Sequence, residues 1–132
     1  MKKTILVLGF LTAANLAWAK TIADVKVAKC TGASGSFIEA NVNSQVIRGK
    51  LGTLKELSSM PGKTPFAVTK GYPLADHTSL GGLALDKTGY WGNLSLISLT
   101  NKELGTKDKL TGFFTDMNGR AQTEELLCDL TF

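Results

Sequence analysis

Asp76-His77-Thr78-Ser79 places a carboxylate, an imidazole and a hydroxyl within one short segment. A nucleophilic hydrolase uses those three groups together. Serine attacks, histidine takes its proton, and the carboxylate orients the ring. The spacing argues against that reading. Along an extended chain neighbouring side chains point to opposite faces, so Asp76 and His77 should diverge. His77 is the only histidine in the chain. It is expected at the surface, as a contact residue.

The other chemistry-bearing groups are weaker still. Glu124 and Glu125 are the only adjacent carboxylates. A glycosidase pair must face one substrate, and neighbours on a strand do not. They read as exposed charges on the last strand. Ser34-Gly35-Ser36 has the composition of a turn. No helix follows it, as a nucleophile elbow requires. Walker, Rossmann, zinc and EF-hand motifs are absent from the sequence. Asn93-Leu94-Ser95 matches a glycosylation sequon by chance. Neither catalysis, nor a cofactor, nor a metal site is expected.

Two cysteines, Cys30 and Cys128, lie near the two ends of the domain. With one distant histidine they lack the ligand count of a zinc site. The beginning of the chain says where they work. Lys2 and Lys3 precede a short apolar run, Ile5 to Leu11, and Ala17-Trp18-Ala19 has the small-x-small form of a cleavage site. This is the pattern of a secretory signal peptide. The apolar run is far shorter than the roughly 20 residues of a membrane-spanning helix. Residues 1–19 are therefore expected to be removed, leaving 20–132 as one domain. The compact leader looks bacterial, so the periplasm or the medium is the expected location. Lys29, not a small residue, precedes the first cysteine, which argues against a lipid anchor. In an oxidising compartment an even pair of cysteines is expected to form a disulfide, Cys30 to Cys128. Such a bond makes the first and last strands close neighbours.

Charge excludes one class of partner. The chain carries 15 basic and 11 acidic residues, a net of +4. Lys2 and Lys3 leave with the leader and take half of that excess. The remaining lysines are scattered, which does not make a nucleic-acid footprint.

The elements that would position contact residues are short strands. Fourteen glycines punctuate the sequence, and the segments between them alternate in polarity, the period of strands with one buried face. Candidate strands cover Thr21–Lys29, Ser36–Asn43, Val46–Leu51, a short piece around Phe66 and Val68, Thr78–Leu85, Tyr90–Leu99 and the last hairpin. Gly81-Gly82 points to a bulge or close backbone contact. Tyr90 and Trp91 start a strand after a turn, so one ring is expected inward and the other outward. The loop from Gly71 to Ser79, with Tyr72 and His77, is expected beside them. Tyr72, His77, Tyr90 and Trp91 are thus the candidate binding residues, since loops on a rigid scaffold commonly carry them.

Asn118-Gly119 marks the last hairpin. A two-residue loop would set Met117 opposite Arg120. A three-residue loop with Gly119 in the left-handed region sets Asp116 opposite Arg120, Leu110 opposite Leu126, and Gly112 opposite Glu124. The second register is expected, because it keeps Leu110, Phe114, Leu126, Cys128 and Leu130 on one face. Asp116 and Arg120 would form a modest cross-strand pair.

The ending, with Leu126, Cys128, Leu130 and Phe132 in alternation, resembles the last strand of bacterial outer-membrane barrels. That resemblance covers the tail alone and implies a barrel in lipid. Spanning strands need about 9–11 residues and flanking aromatic girdles, and this chain offers shorter strands and few aromatics. No stable membrane insertion is expected, and Phe132 should plug a barrel end.

The expected fold is all-β: a small, closed antiparallel barrel of about seven or eight short strands, with a two-sheet sandwich as the alternative. The expected function is an exported, non-catalytic binding module that recognises another protein, as an inhibitor or envelope accessory. A carrier of a small apolar ligand is the alternative. Inward Ile38, Phe66, Leu83, Leu94, Leu96 and Phe114 would favour a filled barrel, and Gly81, Gly82 and Gly112 a cavity. The sequence leaves the oligomeric state open.

Overall fold

The computed structural model describes residues 19–132; the expected signal peptide, residues 1–19, lies outside that range except for Ala19. Among these residues nine strands carry the fold. They are β1 (Val27–Thr31), β2 (Phe37–Asn41), β3 (Val46–Lys50), β4 (Leu57–Ser58), β5 (Phe66–Lys70), β6 (His77–Leu85), β7 (Trp91–Leu99), β8 (Lys107–Asp116) and β9 (Ala121–Thr131). Their order is β4-β3-β2-β1-β9-β8-β7-β6-β5, all antiparallel. Ser58 of β4 pairs with Leu85 of β6 and closes the sheet. The result is an eight-stranded barrel with β5 as an extra strand on β6, and β6 to β9, at 9 to 11 residues, are longer than the short strands expected. The sandwich alternative falls with that closure.

β4 and β5 share one side of β6. Ser58 faces Leu85 and Phe66 faces Gly82. The chain therefore leaves the line of β4 for a short excursion, residues 59–65, and returns to the same line as β5. Pro61, Gly62 and Pro65 account for the break, because proline withholds a ladder donor.

The first strand begins later than its apolar pattern implies. Ile22–Asp24 forms a single 3-10 turn, and Thr21 and Asp24 cap each other. This turn buries Ile22 and Val25 completely, so the alternation of Val25 and Val27 reflects a plug leading into a strand.

Alternation along each strand fills the interior. Ile38, Ile47, Leu80, Leu94, Leu96 and Leu126 are fully buried. Phe114 joins them, and Phe66 packs against the cluster part-buried, while Leu83 faces outward and is half-exposed. The glycines do not open a cavity. A Cβ on Gly112 would lie 3.0 Å from both Leu126 and Leu51 and 3.1 Å from Ile38, so branched side chains already occupy that space. Gly81 has φ +154, and a Cβ there would overlap the Leu94 carbonyl. It serves close approach of β6 to β7. Phe132 is part-buried against the core at the end of the barrel.

Cys30 and Cys128 are bonded, with their Cα atoms 3.9 Å apart. They face each other directly in the β1–β9 ladder. The first and last strands are neighbours, as the staple requires. The last hairpin has Leu110 opposite Leu126 and Gly112 opposite Glu124. The Gly119 N–H donates to Asp116 O at 3.0 Å, and Gly119 has φ +79. This is the three-residue register, set by where the left-handed residue sits.

Candidate functional site

The structure separates the four candidate contact residues into three places. Tyr72 and Trp91 line one outer groove of about 350 Å³. Trp91 leads β7 and is 42% exposed. Gly92, Leu94 and Leu96 are buried, so the alternation sends Trp91 outward. Tyr72 reaches the same face from the β5–β6 loop and meets Phe113 of β8 edge-on, with ring centroids 6.1 Å apart. Between these walls lie Thr69, Ser79, Asn93 and Ser95 together with the apolar Phe66, Ala67, Gly81 and Leu83. Among the described residues no side-chain hydrogen bond engages Ser79, Asn93 or Ser95. Ser79 and Ser95 are almost fully buried, so Thr69 and Asn93 are the polar side chains most open to the groove.

Tyr90 is occupied elsewhere. It precedes β7 and packs part-buried against the core, so of the two rings Tyr90 is the inward one. Its hydroxyl donates to Asp116 Oδ2 and accepts from Arg120 Nη2 at 2.6 Å. Its own N–H donates to Asp86 Oδ1 at 3.0 Å, and the Lys55 ammonium lies 5.1 Å from its ring centre. Tyr90 thus ties the β6–β7 turn to the β8–β9 turn.

Asp116 is the centre of that tie. Its side chain is fully buried. Besides Tyr90 it accepts from the backbone N–H groups of Asn118 and Arg120, at 3.0 and 2.9 Å, and from Arg120 Nε at 2.7 Å. The modest pair expected from the sequence is a saturated carboxylate. The Tyr90 hydrogen bond first, then the Arg120 and Asn118 donors, hold its pKa down to about 2. A depressed carboxylate stabilises the fold above its ordinary pKa of 3.8, and that contribution disappears as pH falls through about 2. Asp116→Asn is therefore expected to lower the urea midpoint clearly at pH 7. The gap from the unsubstituted protein should close on acidification towards pH 2. Equal midpoints at neutral pH would count against this account.

His77 opens onto a separate, charged hollow with Lys102, Asp108, Lys109 and Glu125. Its Nδ1 lies 2.8 Å from Asp76 Oδ1, contrary to the expectation that the two side chains diverge. Asp76 precedes the strand, in the turn, so strand alternation does not apply to it. Ser79 shares the outer face of β6 with His77 but is almost fully buried, and no hydrogen bond joins the two among the described residues.

Glu124 also differs from expectation. It faces inward, because Leu126, Cys128 and Leu130 do and the strand period carries that face back two residues. Oε1 accepts from the Ser36 hydroxyl at 2.7 Å, and that hydroxyl accepts from the Gly52 N–H at 2.8 Å. Oε2 is buried without a hydrogen-bond partner among the described residues. The alternation in the last strand carried this signal.

No family model, curated protein or solved structure matches this chain. Function therefore rests on the geometry alone.

Proposed function

We propose that this protein is an exported, non-catalytic module that recognises another protein through the Tyr72–Trp91 groove. One observation carries the reading. A part-exposed tryptophan and a tyrosine wall one outer groove, with Thr69 and Asn93 open beside them. Tryptophan and tyrosine are the side chains that most often anchor protein interfaces. A disulfide across the first and last strands suits an oxidising, exported compartment. The packed interior speaks against the apolar carrier, because the positions that would have opened a cavity are filled or in backbone contact. Outward charges on several strands, such as Glu39, Arg48, Lys109 and Glu125, favour an aqueous setting.

The test is affinity capture from the exported fraction of the producing cells, followed by titration of the captured protein. Trp91→Ala is expected to weaken binding by about 2 kcal/mol, roughly thirtyfold. His77→Ala, on a different hollow, should leave it unchanged. Equal loss in both variants would remove the groove from the reading. A small molecule released on unfolding, in place of a protein partner, would revive the carrier.

A further inference from the structure

β5 is an open edge. It pairs with β6 on one side and is the end of the strand order on the other. The hydrogen-bond alternation shows what that edge presents. Leu83 N–H donates to Pro65 O, and Gly71 N–H donates to His77 O. In an antiparallel ladder bonded and non-bonded pairs alternate. Residues 65, 67, 69 and 71 therefore bond to β6. The N–H and C=O groups of Phe66, Val68 and Lys70 point the other way, to the free side. They recur every second residue, about 6.8 Å apart, the spacing another strand matches. Val68 is 37% exposed, and residues 67 to 70 are all exposed.

The edge adjoins the groove. Ala67 and Thr69 project onto the same face as Gly81 and Ser79, their partners on β6. A strand laid along β5 would send alternate side chains over Ala67 and Thr69 towards Trp91. Charge selects among strands. Lys63 precedes β5 and Lys70 ends it, and residues 57–75 contain no Asp or Glu. A short edge ending in lysine resists pairing with a like-charged copy of itself.

We infer that the partner docks as an extended segment with acidic flanks, adding a strand to β5 through the backbone of Phe66, Val68 and Lys70. This rests on the protein-recognition reading above and specifies the form of the partner. Backbone hydrogen bonds give the affinity. One or two outward side chains of the peptide, seated in the groove, give the specificity.

The experiment selects binders from a displayed library of short random peptides on the disulfide-intact protein. Selected peptides are then followed by amide NMR and hydrogen exchange. They are expected to be acidic at the flanks and free of internal proline. They should slow exchange at Phe66, Val68 and Lys70 by about tenfold or more. N-methylation of the peptide at alternate residues should abolish binding, and methylation at the intervening residues should not. Lys63→Glu with Lys70→Glu should weaken binding about tenfold at low salt and less at high salt. A peptide that shifts Trp91 and Asn93 but leaves the three edge amides unprotected would overturn strand addition and leave the groove reading standing. No enriched peptide, or no change in either region, would overturn both. Protection that appears on concentrating the protein alone, with a doubled mass, would assign the edge to a second copy and overturn the acidic partner.

Discussion

Cys30→Ala combined with Cys128→Ala is expected to cost about 4–5 kcal/mol of stability, the chain-entropy value for a loop of about 100 residues. The two cysteines are 98 residues apart in sequence, so the bond closes nearly the whole domain into one loop. Both are almost fully buried, and each faces the other across the β1–β9 seam. That seam joins the first and last strands, so its pairing is the contact of greatest sequence separation in the barrel. Without the bond, the unfolded chain must bring its ends together by diffusion before the seam can form. Domains of this size typically hold about 5–15 kcal/mol in total, so the reduced barrel should sit close to its unfolding threshold. Urea unfolding of the oxidised protein, the double variant and the dithiothreitol-reduced protein would check this. The last two should agree. A loss below about 1 kcal/mol would mean that the unfolded chain already keeps its ends together.

How much of this was legible in the sequence depended on how local the signal was. The last hairpin was readable because Asn118-Gly119 fixes a left-handed position, and one face of alternating apolar residues then admits one register. The closure of first strand on last was readable because a disulfide imposes proximity whatever the fold. The split of β4 from β5 was not. Leu57-Ser58 is too short to show a period, and its place is set by Leu85 on a distant strand. The role of Tyr90 was hidden for the same reason. Its partners Asp116 and Arg120 lie 26 and 30 residues away, and strand propensity cannot reveal a hydrogen bond across a barrel end. The pairing of Tyr72 with Trp91 in one groove was half legible. Alternation sent Trp91 outward, but nothing local in the sequence brings Tyr72, in the β5–β6 loop, to Phe113 of β8. Glu124 was legible and misread. Its period placed it inward, and charge alone argued it out.

The second large effect concerns the interior. Leu96→Ala is expected to cost about 2–5 kcal/mol, the range for truncating a large buried aliphatic in a packed core. Leu96 is fully buried in the middle of β7, opposite Leu80 on one side and Gly112 on the other. The cost has two parts, the lost transfer of the removed carbons and the void that remains. The void should be large here. Its neighbour Gly112 has no side chain to move, and the space above that glycine is already held by Leu51, Leu126 and Ile38. A hollow carrier barrel would respond differently, because truncation beside an existing cavity adds little new void. The same variant therefore separates the two accounts of the barrel. With a filled interior, unsubstituted protein should not bind an apolar probe such as phenylnaphthylamine, and Leu96→Ala should lose several kcal/mol in urea unfolding. Probe binding by the unsubstituted protein, together with a loss below about 1 kcal/mol, would show a preformed cavity. It would also return the apolar ligand to first place among the functions to test.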